Sequence, residues 1–178
     1  KSNKSYGLST MLDRHVQIGR QQVVFNFKGK SNIRHQISLK DSRLAKVVKL
    51  CRDVPGQILF QYLDDSGMSH SIHSHDVNHY LQEITANHFT AKDFRTWAAT
   101  VYAAKILSGI PVADNLKQTK KNLDGAIETV AKRLGNTKAI CKKCYVHPAI
   151  QESYLNGKLH ARDEKSVLNF LKRKHRTS

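Results

Sequence analysis

Thr90-Ala91-Lys92-Asp93-Phe94-Arg95-Thr96-Trp97 is the stretch on which the fold turns. A threonine followed three residues later by a carboxylate is a capping-box-like helix start, with Asp93 where Glu is more common. It predicts a long helix rich in alanine and aromatic residues, closed by Gly109 and Pro111. The helical period continues downstream. A further helix is expected from about Asn115 to Leu134, with Leu116, Leu123, Ile127, Val130 and Leu134 on its inner stripe and Gly135 as the residue that ends it. After Pro148 a short helix and a final basic helix containing Val167, Leu168 and Leu171 complete the chain.

Upstream of Thr90 the period is different. Val16-Gln17-Ile18 and Val23 to Phe27 read as strands flanking the polar turn at Gly19-Arg20-Gln21. A second hairpin follows, with 28–32 as its tip and Ile33 to Leu39 as the returning strand. There Ile33, His35, Ile37 and Leu39 share one face. A helix is expected from near Asp41, with Leu44, Val47, Val48 and Cys51 in its stripe and Pro55-Gly56 beyond it. Ile58 to Leu63 and Met68 to Ile72 predict a short hairpin. Ser74 is placed to cap a helix with Val77, Leu81 and Ile84 on its inner face. The fold class is therefore α+β: a small N-terminal antiparallel sheet with hairpins, then a mainly helical body, read as one domain over 1–178.

The charge says what such a body would meet. Thirty Lys and Arg against fourteen Asp and Glu give a net +16 over 178 residues, a footprint for polyanions, nucleic acids first and anionic membranes second. No apolar run approaches the ~18–20 residues that span a bilayer. The first residues lack the apolar stretch of a signal peptide. Three cysteines are too few for a disulfide-stapled secreted domain, so a reducing cytoplasm is expected. The absence of an initiating methionine suggests a piece of a longer protein.

Four residues carry the candidate chemistry. Lys30 sits at a Gly-Lys hairpin tip, and Arg95 on the first turns of the capped helix. Asn136 lies just past a helix end in Leu134-Gly135-Asn136-Thr137. Tyr145 follows nine residues later in Cys141-Lys142-Lys143-Cys144-Tyr145-Val146-His147-Pro148. Each has an ordinary reading: Tyr145 as a half-buried core tyrosine, Lys30 as a solvated turn lysine. Arg95, however, opposes the helix dipole, which favours anions at that end, and a bound phosphate would relieve the conflict. The Cys141/Cys144 pair has only His147 nearby and no second Cys pair, so it does not make a zinc site. His70, His73, His75 and His79 read as exposed polar histidines rather than metal ligands. No metal or cofactor is expected.

Taken in order, these segments, together with Ser5-Tyr6-Gly7-Leu8-Ser9-Thr10, closely resemble the type IB DNA topoisomerases of bacteria and poxviruses over essentially the whole chain. The resemblance implies double-stranded DNA as partner, a monomer without an obligate protein partner, and a cytoplasmic, nucleoid-associated enzyme that relaxes supercoils. It implies Tyr145 as the nucleophile forming a 3′-phosphotyrosyl ester, Arg95 and Asn136 as phosphate ligands, and Lys30 as the general acid. Lys92, Lys28, Arg34, Lys142 and Lys143 are candidates for further DNA contacts. Because the ester conserves the bond energy, neither ATP nor a metal is needed for religation.

Two departures qualify the match. Many family members have a histidine where Asn136 stands; asparagine still donates a hydrogen bond but carries no proton near neutral pH. The family's other catalytic arginine would lie before Lys1, so the chain by itself is expected to relax DNA poorly, a missing phosphate ligand costing about 10²–10³ in rate. Two other functions compete. Tyrosine recombinases share the catalytic core but usually carry a histidine at the position of Lys92. A noncatalytic DNA-binding module would use only the basic surface.

Overall fold

The computed structural model describes residues 5–176. They fall in two compact units, Lys1–His88 and Phe89–Ser178.

The first unit is built on a three-stranded antiparallel sheet of β1 (Val16–Ile18), β2 (Val23–Lys28) and β3 (Arg34–Leu39), in that order. Register pairs Val16 with Phe25, and Phe25 in turn with Ile37. Alternation then turns Val23 and Phe25 into a core with Met11, Val16 and Leu59. Helix α1 (Ser42–Asp53) covers that core, its start fixed by the Asp41 carboxylate, which accepts from the backbone N–H groups of Arg43 and Leu44 at 2.8 and 3.0 Å. Its buried residues are Ala45 and Val48. Val47, placed on the inner stripe by spacing, is 54% exposed, because the face that meets the sheet is centred one residue position away.

Between β2 and β3 the chain makes a short 3₁₀ turn at Lys30–Asn32. Gly29 donates its N–H to the Ile33 carbonyl at 2.8 Å. A Cβ at Gly29 would lie 2.6 Å from Nε2 of His35, so a side chain there would require the His35 ring to move. A second hairpin pairs β4 (Gln61–Leu63) with β5 (Ser69–Ser71). Buried Gln61 ties it back by donating to the carbonyls of Val54 and Pro55 at 3.0 and 3.1 Å. Helix α2 (Ser74–Thr85) is capped by His73 rather than Ser74: the His73 N–H donates to the Asp76 carboxylate at 2.7 Å. Val77 and Leu81 are half-buried, but Ile84, expected inside, lies in the last turn and is 58% exposed.

The second unit is helical: α3 (Ala91–Ser108), α4 (Leu116–Leu134), α5 (Lys138–Cys144), α6 (Pro148–Leu155) and α7 (Glu164–Arg176). Thr90 starts α3 as the sequence suggests, its N–H and hydroxyl both donating to the Asp93 carboxylate at 2.9 and 2.7 Å. These bonds hold that carboxyl below its usual range. The core is small on one side and branched on the other. Ala99, Ala103, Ala104 and Leu107 of α3 meet Leu123, Ala126, Ile127 and Val130 of α4, and the alanines let the two axes approach. Burying a side chain such as Ile127 is worth about 1.5–3 kcal/mol.

Two side chains expected in this core lie outside it. Leu116, the first residue of α4, is 57% exposed, and Leu168 of α7 is 41% exposed while Val167 is fully buried. Helix α7 is fastened to α3 by Trp97, whose indole N–H donates to Glu164 at 2.6 Å. Among the described residues no helix is long and apolar enough to cross a membrane.

Candidate active site

The C-terminus of α4 sets the first part of the site. Gly135 adopts the left-handed conformation (φ 63°, ψ 41°), and the N–H groups of Gly135 and Asn136 close on the carbonyls of Lys132 and Ala131 at 3.2 and 2.9 Å. This is the six-to-one and five-to-two pattern that ends helices at glycine. It delivers Asn136 half-buried, with its side-chain Nδ2 buried and bonded to nothing. An unpaired buried donor costs about 1–3 kcal/mol, so an acceptor arriving there would be bound favourably.

Tyr145 ends the short helix α5, which starts at Thr137 with its hydroxyl accepting from Ile140. The pattern around Lys142 and Lys143 gave no expectation of that helix. Tyr145 departs from helical geometry (φ −121°, ψ −35°) while its N–H still reaches the Cys141 carbonyl at 3.1 Å. Its side chain is half-buried and packs on the edge of the helical core.

Arg95 joins these two helix ends. Its guanidinium donates to the carbonyl of Leu134, the last residue of α4. The same guanidinium carbon lies 5.4 Å from the centroid of the Tyr145 ring, within reach of a cation–π contact. Arg95 is exposed on the second turn of α3. The structure thus brings together Arg95, Tyr145 and the turn that carries Asn136.

The flanking groups differ in how free they are. Lys142 is held by Asp124 at 2.8 Å, with Lys138 at 3.7 Å from the same carboxylate. The Lys142 bond, and then both positive charges, keep the Asp124 carboxyl below its usual range. Lys142 is exposed but already engaged by a protein partner; Lys143 and Lys92 are exposed as well. Burial pushes the Cys141 thiol up, against the opposing charge of Arg95, and keeps it an apolar filler.

The remaining candidates belong to the first unit. Lys30 is exposed on the β2–β3 turn, and Lys28 and Arg34 stand directly opposite one another across that hairpin, both exposed. Like charges in cross-strand register disfavour the hairpin.

Two side chains that hold the site escaped the sequence reading. Thr100 is a hydroxyl within the alanine-rich face of α3, and that polar interruption of an apolar run is the signal that could have found it. Gln151 of α6 donates to the carbonyls of Lys142 and Val146 at 3.0 and 2.9 Å.

Residues 1–168 match the family model described as the eukaryotic DNA topoisomerase I catalytic core. The chain belongs to the type IB DNA topoisomerase family. It is 34% identical over 164 residues to the DNA topoisomerase 1B of Acanthamoeba polyphaga mimivirus, a match covering 88% of this chain and 49% of that protein. It is 26% identical over 156 residues to the DNA topoisomerase 1B of Vaccinia virus (strain Copenhagen), covering 85% of this chain and 46% of the relative. The chain therefore spans about half the length of these topoisomerases. Its α+β arrangement, with seven α-helices and small antiparallel sheets among the described residues, agrees with a topoisomerase I catalytic core.

Proposed function

We propose that this chain carries the strand-cleaving centre of a DNA topoisomerase that relaxes supercoils through a transient covalent intermediate. The observation that supports it most is Arg95, which touches both the Tyr145 ring and the carbonyl end of α4. In this reading the Tyr145 phenolic oxygen attacks a backbone phosphorus. The P–O5′ bond breaks, and the tyrosine is left as a 3′-phosphotyrosyl ester. A neutral phenol is a weak nucleophile, so its proton passes to solvent water as the oxygen attacks, and the Arg95 guanidinium, 5.4 Å from the ring centroid, stands beside the charge that moves onto the phosphate. Arg95 bridges two non-bridging oxygens with its planar fork, and the unpaired Nδ2 of Asn136 donates to one of them.

Lys30 passes its proton to the departing 5′ oxygen, with Lys28 and Arg34 steering the strand toward it. Lys92, Lys142 and Lys143 add phosphate contacts; each neutralised phosphate steepens the salt dependence of binding by about 0.9 in the log–log slope. Religation reverses the steps, and the ester holds the energy of the broken bond, so no nucleotide or metal is consumed. The partner is double-stranded DNA and the working unit a monomer in a reducing cytoplasm. The relatives named above are viral and lend a bacterial nucleoid no support.

The test uses a duplex nicked so that the short 5′-hydroxyl strand diffuses away after cleavage. The chain, or a longer gene product containing it, is expected to accumulate a covalent adduct that Tyr145→Phe abolishes. An adduct of equal yield in Tyr145→Phe would remove Tyr145 from the mechanism.

A further inference from the structure

We infer that Thr100 is a positioning residue that sets the height of the Tyr145 nucleophile against Arg95, and so controls the rate of cleavage without touching DNA. This rests on the assignment of Tyr145 as nucleophile. Thr100 is 2% exposed. Its hydroxyl donates to the Tyr145 carbonyl at 3.1 Å and accepts the N–H of His147 at 3.1 Å. Both bonds fall where α5 has ended and α6 has not begun; the N–H groups of Tyr145 and Val146 still reach back to the Cys141 carbonyl, but the Tyr145 carbonyl and the His147 N–H lie beyond that last turn and are met by Thr100. One hydroxyl, using its donor and an acceptor lone pair together, clamps the backbone on both sides of Val146, whose side chain is buried at 2%.

The clamp also has a register. Arg95 and Thr100 lie five residues apart on α3, and at 1.5 Å per residue their Cα atoms are spaced by roughly 7.5 Å along its axis. A single rigid helix therefore carries both the cation aimed at the phosphate and the anchor of the nucleophile's main chain. Gln151 holds the same segment from the other side through the carbonyls of Lys142 and Val146, but it sits on α6 and carries no link to Arg95. Releasing Thr100 frees the turn to shift relative to Arg95 while leaving Gln151 to keep it folded. A displacement of about 1 Å at a reacting atom lowers a rate by as much as ~10².

The experiment compares Thr100→Val, which keeps the shape and removes both bonds, with Thr100→Ser, which keeps the bonds and removes a methyl. Adduct formation is followed in a single turnover at saturating nicked duplex, with DNA affinity measured separately on a Tyr145→Phe background. Expected are a fall of about 10–10² in the rate for Thr100→Val, unchanged DNA affinity, and restoration by Thr100→Ser to within about threefold of the parent. If Thr100→Val does not fold, Thr100→Ala takes its place, with the same expectation.

A folded Thr100→Val that cleaves at the parent rate overturns the inference. So does a Thr100→Ser variant as slow as the valine one, because the methyl rather than the hydroxyl would then matter. Neither result touches the assignment of the nucleophile, which fails only if the adduct survives in Tyr145→Phe.

Discussion

Among the described residues the second unit closes on fifteen buried apolar side chains and the first on seven, and the candidate chemistry divides along the same line. Arg95, Asn136 and Tyr145 all emerge from helix ends that the larger core fixes. The cap at Gly135, the Thr137 hydroxyl and the Thr100 clamp each specify one of those ends. Lys30 is different. It stands on a short turn leading into β3, where Ile37 and Leu39 are 42% and 41% exposed although they pair with the buried Phe25 and Val23. In the proposed mechanism the groups that would hold a phosphate in one geometry are on the densely packed unit, where packing locks backbone and rotamer. The group proposed to deliver a proton is on the lightly packed one.

That contrast predicts two different kinds of failure. Lys30→Ala should slow cleavage by about 10²–10⁴, the usual worth of a general acid. The loss should largely vanish on a substrate whose leaving 5′ oxygen is replaced by sulfur, because a thiolate, with a pKa near ~8.5, leaves without a proton. An equal defect on both substrates would make Lys30 a phosphate ligand and erase the contrast. Arg95→Ala should cost about 10²–10³ on both substrates alike, with Arg95→Lys recovering only part, since an ammonium cannot form the planar fork. Rescue of Arg95→Ala by the sulfur substrate would contradict its role.

The smallest effect concerns what keeps the second unit rigid. Asp124 joins Lys142 and Lys138 at the surface, and its carboxyl is held low. A depressed folded pKa gives stability that is present above the unfolded value of 3.8 and disappears as pH falls through the folded one. Asp124→Asn should therefore lower stability at neutral pH by less than about 1 kcal/mol, as suits an exposed pair, and the difference should close below pH 3.8 in thermal melts across pH. A much larger loss at neutral pH would mean that ion pairs, not the alanine-lined core, set the rigidity.

The sequence was legible where a local rule and a tertiary demand agree. Thr90 with Asp93, Gly135 after Leu134, and the β2–β3 hairpin are each written in residues whose chemistry permits little else. Spacing was less able to choose which edge of a stripe meets a neighbour. Val47, Ile84 and Leu116 sit at helical intervals yet lie outside, because the packed face is decided by a partner element that periodicity does not see. Arg95 and Tyr145 could be singled out one by one, but their meeting depends on α5, a seven-residue helix whose basic sequence carries little apolar period. Thr100 left one mark, a polar side chain within an apolar run, but its partners, like those of Gln151, are main-chain atoms of another segment, and no side-chain pattern records which segment such a bond meets. The pairing of Lys142 with Asp124 joins residues eighteen apart on two helices and likewise needed the fold.

The central claim is that one tyrosine becomes bonded to DNA, and peptide mapping of the trapped adduct addresses it most directly. Trypsin cuts after Lys143 and Lys158, giving a peptide of residues 144–158 that contains both Tyr145 and the buried Tyr154. After nuclease trimming, fragmentation should place the remaining 3′-nucleotide on Tyr145, with Tyr154 unmodified. A nucleotide on Tyr154, or on any residue outside this peptide, would contradict the account.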